Sequence, residues 1–225
     1  MFSNFLSKGR LSVLVIVVLL IIDQVIKILV KTNMSLGEAI HVTDWFYIDF
    51  VENKGMAYGM TFINKFVLSM LRIVAGSFIG CYIFKQVKAR ARTFYIVLLS
   101  VIFAGATGNI LDSMFYGLMF DASTPFDVAS FVPIGTGYAG FLMGKVVDMF
   151  YFPLIVTTWP EWVPFVGGND FVFFSPVFNF ADACISVGVV LMLIFCRKEL
   201  ETISLSSVSG KKSGGGKNQN ENYDG

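Results

Sequence analysis

The sequence predicts an integral membrane protein, mainly α-helical, with four transmembrane helices and a small β-sheet element on the outer face. Three observations carry this. Charged residues make up only 15% of the 225, against about a quarter in a soluble domain. Hydrophobic residues reach 55%, including 24 Phe, and gather in runs near the ~20 residues that cross a hydrocarbon core. Lys and Arg collect on segments that share one side of the membrane. The net charge of +1 offers no basic surface, so no nucleic-acid partner is expected. Cys81, Cys184 and Cys196 lie singly in apolar runs, which is neither a disulfide framework nor a zinc site.

The first span runs from Leu11 to Val30, the second from Phe66 to Phe84, the third from Thr93 to about Phe115, and the fourth from Val177 to Cys196. The first is not read as a cleaved leader. It lacks a small-residue cleavage site and continues through Asp23 and Lys27 for a full span. Eleven of the seventeen Lys and Arg fall on one side if both termini are cytoplasmic, the loop KQVKARAR between spans two and three being the clearest case.

Two stretches then face outward. Residues 36–56 contain HVTDWFYIDFVEN, whose alternation suits a short strand or hairpin. The long segment 116–176 holds all six prolines with Trp159 and Trp162. It reads either as an aromatic belt at headgroup level or as a lid that contacts substrate. The organisation is therefore one membrane domain over 1–200, with an outward β element at 36–56 and an outer loop at 117–143. A low-complexity Ser, Gly, Lys and Asn tail at 204–225 is expected to be disordered and cytoplasmic.

Ionisable side chains inside spans are costly and point to function. At ~1.5 Å per residue, Asp23 lies roughly 20 Å and Asp112 about 28 Å above the inner boundary, and Asp182 about 6 Å below the outer end of span four. All three approach the outer surface. Asn53, Asn109, Asn179 and Asp148 lie in segments able to reach the same level. Simpler readings stand beside this one. Asp23 and Lys27 form an i,i+4 pair, Asn179 and Asp182 have the spacing of a helix cap, and Ala104 with Gly108 marks close helix packing. Glu52, Asp121, Asp127, Glu161 and Asp170 read as solvated loop charges. Arg72, in mid-span, either pairs with a neighbour or snorkels. His41 is the only histidine and has no partners at ligand spacing, so no metal or other cofactor is expected. No G-x-S-x-G elbow accompanies it.

Carboxylates and carboxamides without a metal motif suit one chemistry in particular. Two carboxyl groups held close together share a proton. The ionised member can then activate a water against an amide carbonyl while the protonated member supports the carbonyl oxygen.

DQVIK (Asp23 to Lys27), ENKGMAYG (Glu52 to Gly59), AGATGNILD (Ala104 to Asp112), GKVVDMF (Gly144 to Phe150) and FNFADACISVG (Phe178 to Gly188) follow one another in order. Together they resemble the five motif regions of the bacterial lipoprotein signal peptidases (signal peptidase II), which are four-span aspartic peptidases. The resemblance covers roughly residues 10–196. It implies that Asp148 and Asp182 are the catalytic pair, that Asn53, Asn109, Asp112 and Asn179 support dyad and substrate, and that Asp23, with Lys27, is structural. It further implies a lipid-modified prolipoprotein substrate, cut just before its diacylglyceryl cysteine, and a home in the bacterial cytoplasmic (inner) membrane with the active site near the outer face. Membrane lipid is the other expected partner, and the protein is expected to be a monomer.

The chain departs from the family pattern in three places. Ser113 stands where the family usually has Arg, leaving Lys145 or Arg72 as substitute cations. The 117–143 stretch separates Asp112 from Asp148 far more than is usual. Ile26 replaces a common hydroxyl residue. A proton-coupled transporter using intramembrane carboxylates is the alternative. Against it, such sites lie near the midplane between repeats, and no repeat is visible here. A scaffold subunit would not need the polar cluster, and no G-x-G-D occurs in any span.

Overall fold

The computed structural model describes residues 2–53 and 64–201. The tail at 204–225 and most of ENKGMAYG, from Lys54 to Gly59, lie outside the described residues. The elements comprise α1 (Phe2–Asn33), β1 (Ala39–Thr43), β2 (Phe46–Asn53), α2 (Lys65–Lys88), and α3 (Thr93–Leu111). A π-helical turn (Asp112–Tyr116) leads from α3 into the short α4 (Gly117–Met119). Then follow β3 (Val146–Tyr151), β4 (Ile155–Thr158), β5 (Asp170–Phe173) and α5 (Phe180–Phe195). Ser7–Asn33, Lys65–Lys88 and Thr93–Met119 are long and apolar enough to cross a membrane.

The fourth segment differs from the expected span. α5 has 16 residues, about 24 Å at the helical rise. Its start is set by pairing rather than by apolarity. Phe178 exchanges backbone hydrogen bonds with Phe150 at 3.0 and 2.7 Å, which holds Asn179 extended (φ −117°, ψ 177°) so that the helix begins only after it.

α3 is the central helix, packed on α1, α2 and α5. Small residues allow the approach. Gly105 lies under the Ala181 carbonyl and Gly108 lies against the Asp23 carboxylate, so a side chain at either would collide. Gly108 thus does mark close packing, and Ala104, one turn before it, is buried. Outward positions such as Val13, Leu14 and Phe78 are exposed and apolar. At the head of α2, the Asn64 side chain accepts from the Phe66 N–H at 2.9 Å, a helix cap.

The alternating stretch forms the predicted hairpin. β1 and β2 pair antiparallel, and β3 adds on the other edge of β2. The β2–β3 register sets Val51 opposite Asp148, Glu52 opposite Val147 and Asn53 opposite Val146. A second two-stranded sheet, β4–β5, was not anticipated within 116–176. Trp159 packs edge-on against Phe171 there, with ring centroids 4.8 Å apart. The 117–143 stretch is packed onto the body. Phe120 is fully buried against Phe131 and Tyr116, and the Leu36 N–H donates to the Thr124 carbonyl at 2.9 Å.

Candidate active site

The carboxylates meet where α1, α3 and the start of α5 converge. Lys27, fully buried, lies 3.0 Å from Asp23 Oδ2 and 2.8 Å from Asp112 Oδ2. The i,i+4 pair therefore exists, but it is one arm of a three-residue ion cluster. Asp23 also ties α1 to α5 by accepting from the Ala181 N–H at 3.0 Å. Asp112 opens the π turn and meets Lys27 and Gln24 of α1; such turns often mark functional positions. Gln24 donates to Asp112 Oδ1 at 2.9 Å and accepts from the Tyr116 hydroxyl at 3.1 Å.

From Lys27 an amide chain leads to both candidate catalytic carboxylates. Lys27 Nζ donates to Asn109 Oδ1 at 2.9 Å, and Asn109 Nδ2 donates to Asp182 Oδ1 at 2.7 Å. Asn179 Nδ2 donates to the same Asn109 Oδ1 at 3.1 Å and to Asp148 Oδ1 at 2.6 Å. Asn53 Nδ2 donates to Asp148 Oδ2 at 3.1 Å. The Lys27 ammonium at Asn109 Oδ1 and the carboxylates facing Asn109, Asn179 and Asn53 Nδ2 fix which end of each amide is the donor. The cap predicted at Asn179 is present as a reciprocal box with Asp182. All eight sequence-predicted residues fall in this one network.

Asp148 is only 3% exposed, whereas Asp182 is half-buried. Burial, and then the nearby charge of Asp182, push the Asp148 carboxyl up to about 7, against the pull of Asn53 and Asn179. The two carboxyls thus have unlike environments, as an acid and a base in one site require. A cavity of about 200 Å³ opens beside Asp182, lined by Arg72, Gly76, Ala106, Asn109 and Ile185 among others. At ~30 Å³ per water, it holds a water and a small part of a substrate, not a folded chain. A larger cavity of about 760 Å³ between α1 and α2 near Arg10 and Phe84 has no carboxylate in its wall.

Three expectations need correction or refinement. Glu52 is not a solvated loop charge. Its side chain is 2% exposed and lies 2.6 Å from both Lys31 and Lys145, which outweigh burial and hold its carboxyl below the usual range. Lys145 is thereby committed to Glu52 and does not substitute beside Ser113. Lys65 does reach that position, donating to Ser113 Oγ at 3.1 Å, while Arg72 faces the Asp182 cavity. Lys31, Gln24, Lys65 and Ser123 were missed. Lys31 was findable, since Asp23, Lys27 and Lys31 follow at four-residue spacing on one helix face.

The family model described as Signal peptidase (SPase) II matches residues 15–197. Lipoprotein signal peptidase of Porphyromonas gingivalis is 49% identical over 212 residues, spanning 94% of this chain and 92% of its own. That of Amoebophilus asiaticus is 35% identical over 80% of this chain and 75% of its own. That of Staphylococcus aureus strain JH9 is 28% identical over 84% and 88% respectively. A bacterial membrane enzyme solved by the in meso method shares the fold at a TM-score of 0.54, with 24% identity over 82% of this chain and 91% of that one. Nothing in these likenesses supports a transporter. With carboxylates gathered at one end of an apolar bundle and a family match across most of its length, the chain belongs to the signal peptidase II family of membrane aspartic peptidases.

Proposed function

We propose that this protein removes signal peptides from prolipoproteins by cutting on the N-terminal side of a diacylglyceryl-modified cysteine, with Asp148 and Asp182 as the catalytic dyad. The observation that carries this reading is the Asn179–Asn109 bridge, which joins the two carboxyls through hydrogen bonds of 2.6, 3.1 and 2.7 Å. Asp148, the more buried, holds the proton. Asp182, at the cavity, acts as the base.

In this mechanism Asp182 takes a proton from the attacking water as its oxygen bonds to the scissile carbonyl carbon. Asp148 gives its proton to the carbonyl oxygen, yielding a neutral gem-diol. Asp182 then protonates the amide nitrogen, the C–N bond breaks, and Asp148 recovers a proton from the gem-diol hydroxyl. The products are a carboxylic acid and the free amine of the cysteine, and the dyad returns to its starting state. Its titration belongs to the pair.

Four crossings with both termini cytoplasmic follow from the Lys and Arg distribution, with α5 as the fourth. Its length falls short of a ~30 Å core, but the extended residues before it are packed on β3, and irregular backbone is tolerated at membrane depth when covered by protein. The site then lies near the outer face, where a lipid-anchored cysteine is held at the headgroup boundary. The exposed apolar faces of α1 and α2 meet lipid, and the protein works as a monomer.

The test is incubation of the purified protein with a lipidated prolipoprotein and with its unlipidated counterpart. Cleavage of the first alone is expected, persisting in excess EDTA and abolished by either Asp148→Asn or Asp182→Asn. Equal cleavage of both substrates would remove the lipid from the recognition. Zinc-reversible loss in EDTA, or full activity in either variant, would remove the dyad.

A further inference from the structure

A second buried polar cluster adjoins the dyad and takes no part in the chemistry above. Lys31 Nζ reaches Glu52 Oε1, and Lys145 Nζ reaches Glu52 Oε2, each at 2.6 Å. Ser123, from the 117–143 stretch, donates to Glu52 Oε1 at 3.1 Å and accepts from Lys31 at 2.9 Å. The Lys31 ammonium also lies 5.4 Å from the Phe120 ring centroid and 5.0 Å from that of Tyr138. The Lys145 N–H donates to the Tyr138 hydroxyl at 2.7 Å. One carboxylate therefore joins α1, β2, the foot of β3 and the inserted stretch.

Stability alone is a poor account of this cluster. Replacing buried ions by apolar groups of similar volume is often neutral or favourable, so three buried or half-buried charges need another reason. The reason lies in what Glu52 adjoins. The next residue on β2 is Asn53, whose amide holds Asp148 Oδ2 at 3.1 Å. Lys145 stands at the start of β3, three residues before Asp148. The β2–β3 ladder pairs Glu52 with Val147 and Asn53 with Val146, which fixes these strand ends relative to each other, while the Glu52 contacts tie them to Lys31 of α1 and to Ser123. The Ser123–Lys31 contact is no nucleophile–base pair, because the Lys31 amine is committed to Glu52 and both side chains are buried.

We propose that Glu52, clasped by Lys31, Lys145 and Ser123, is a positioning residue that fixes β2 and β3 against α1 so that Asn53 holds Asp148 in the dyad, and that the 117–143 stretch serves to close this clasp. The proposal rests on the dyad reading. Asp148 faces Asp182 from α5, Lys27 from α1 and Arg72 from α2. The Asn53 hydrogen bond favours its ionised form, so loosening that bond moves its titration upward.

The experiment uses the full chain in lipid, with kcat, KM and the pH profile measured on a lipidated prolipoprotein. Glu52→Gln keeps the shape but leaves two ammonium groups on a neutral amide. It should lower kcat by about tenfold, within the ~100-fold that a 1 Å misplacement can cost, with KM little changed and the alkaline limb shifted upward. Adding Lys31→Met to Glu52→Gln removes the excess buried charge and should recover most of the lost kcat. Ser123→Ala should give a smaller loss in the same direction. Wild-type kcat and pH profile in Glu52→Gln, or a fall in kcat with an unmoved limb, would overturn the proposal. If Glu52→Gln does not accumulate, Ser123→Ala and Lys145→Met are read by the same criterion. Asp148→Asn is run in parallel. Cleavage by that variant would sink the dyad itself, whereas an inactive Asp148→Asn beside an unaltered Glu52→Gln would sink only the clasp.

Discussion

Asn179 holds Asp148 with its amide hydrogen at 2.6 Å while its amide oxygen caps the helix that carries Asp182, accepting from the Asp182 N–H at 2.9 Å. One side chain thus has a structural and a positioning task on different atoms, and the two can be separated. Asn179→Ala should lose both, costing about 1 kcal/mol for the cap and taking from Asp148 Oδ1 the donor at 2.6 Å. Asn179→Ser keeps a capping oxygen but has no donor able to reach Asp148. The unfolding temperature of the Ser variant should fall less than that of the Ala variant, because the capping oxygen is kept while the donor to Asp148 is lost in both. Its cleavage rate should fall by roughly 10- to 100-fold. Wild-type turnover in Asn179→Ser would show that this amide does not position the acid.

On the proposed dyad, the alkaline limb of the pH profile should report the Asp148–Asp182 pair. The Asp148 carboxyl is pushed up to about 7, first by burial and then by the charge of Asp182, so the proton that the proposed mechanism places there is lost as pH rises through that value. Turnover should therefore decline on the alkaline side with the slope of one proton. The sign for stability runs the same way. Between the unfolded value of about 3.9 and about 7, the folded state binds more protons than the unfolded, so the contribution of Asp148 to stability falls as pH rises. Above pH 7 Asp148→Asn should unfold at a temperature no lower than wild type. An Asn variant clearly less stable there would contradict the burial argument.

Among the described residues, Lys27 is the cation that bridges Asp23 and Asp112, at 3.0 and 2.8 Å. Lys27→Met would leave two buried carboxyls without a counter-charge, a change of the kind that costs 3–5 kcal/mol when a buried pair is broken, as an order of magnitude. Unfolding in detergent should show a large drop, and Lys27→Met combined with Asp112→Asn should regain part of it. Equal stability of the single and double variants would mean that the ions are not coupled.

Gly108 has no room for a side chain. A Cβ there would press on Asp23 Oδ2 and lie 3.1 Å from Asp23 Cγ, whereas a Cβ at Gly140 would meet nothing within 4 Å. Gly108→Ala should destabilise by about 1–3 kcal/mol through overpacking and disturb the Asp23 to Ala181 contact. Gly140→Ala is the control and should be near neutral. Similar unfolding temperatures for the two variants would remove the claim that α3 packs this closely on α1.

Much of this site was legible because helices convert residue number into depth. Counting the rise put Asp23, Asp112 and Asp182 at one level, and Lys27 with Asn109 joins all three. The cap at Asn179 was legible from spacing alone. Glu52 was misread because the sequence near the end of a strand gives no sign of what covers it, and its cover comes from Lys31, Lys145 and Ser123, between 21 and 93 residues away. The span expected from Val177 begins at Phe180 because Phe178 is claimed by Phe150, a pairing invisible to a hydropathy window.

Apolar run length, the placement of basic residues and the order of the acidic and amide motifs, read along the chain, determined that this is a membrane protein of the aspartic peptidase kind. Those properties are one-dimensional, and a bilayer reads them in that form. Which amide holds which carboxylate was decided only in three dimensions. Asp148 is held by Asn179 and Asn53, 31 and 95 residues away. Contacts of that range are set by how strand, π turn and helix end pack together, and not by any local pattern.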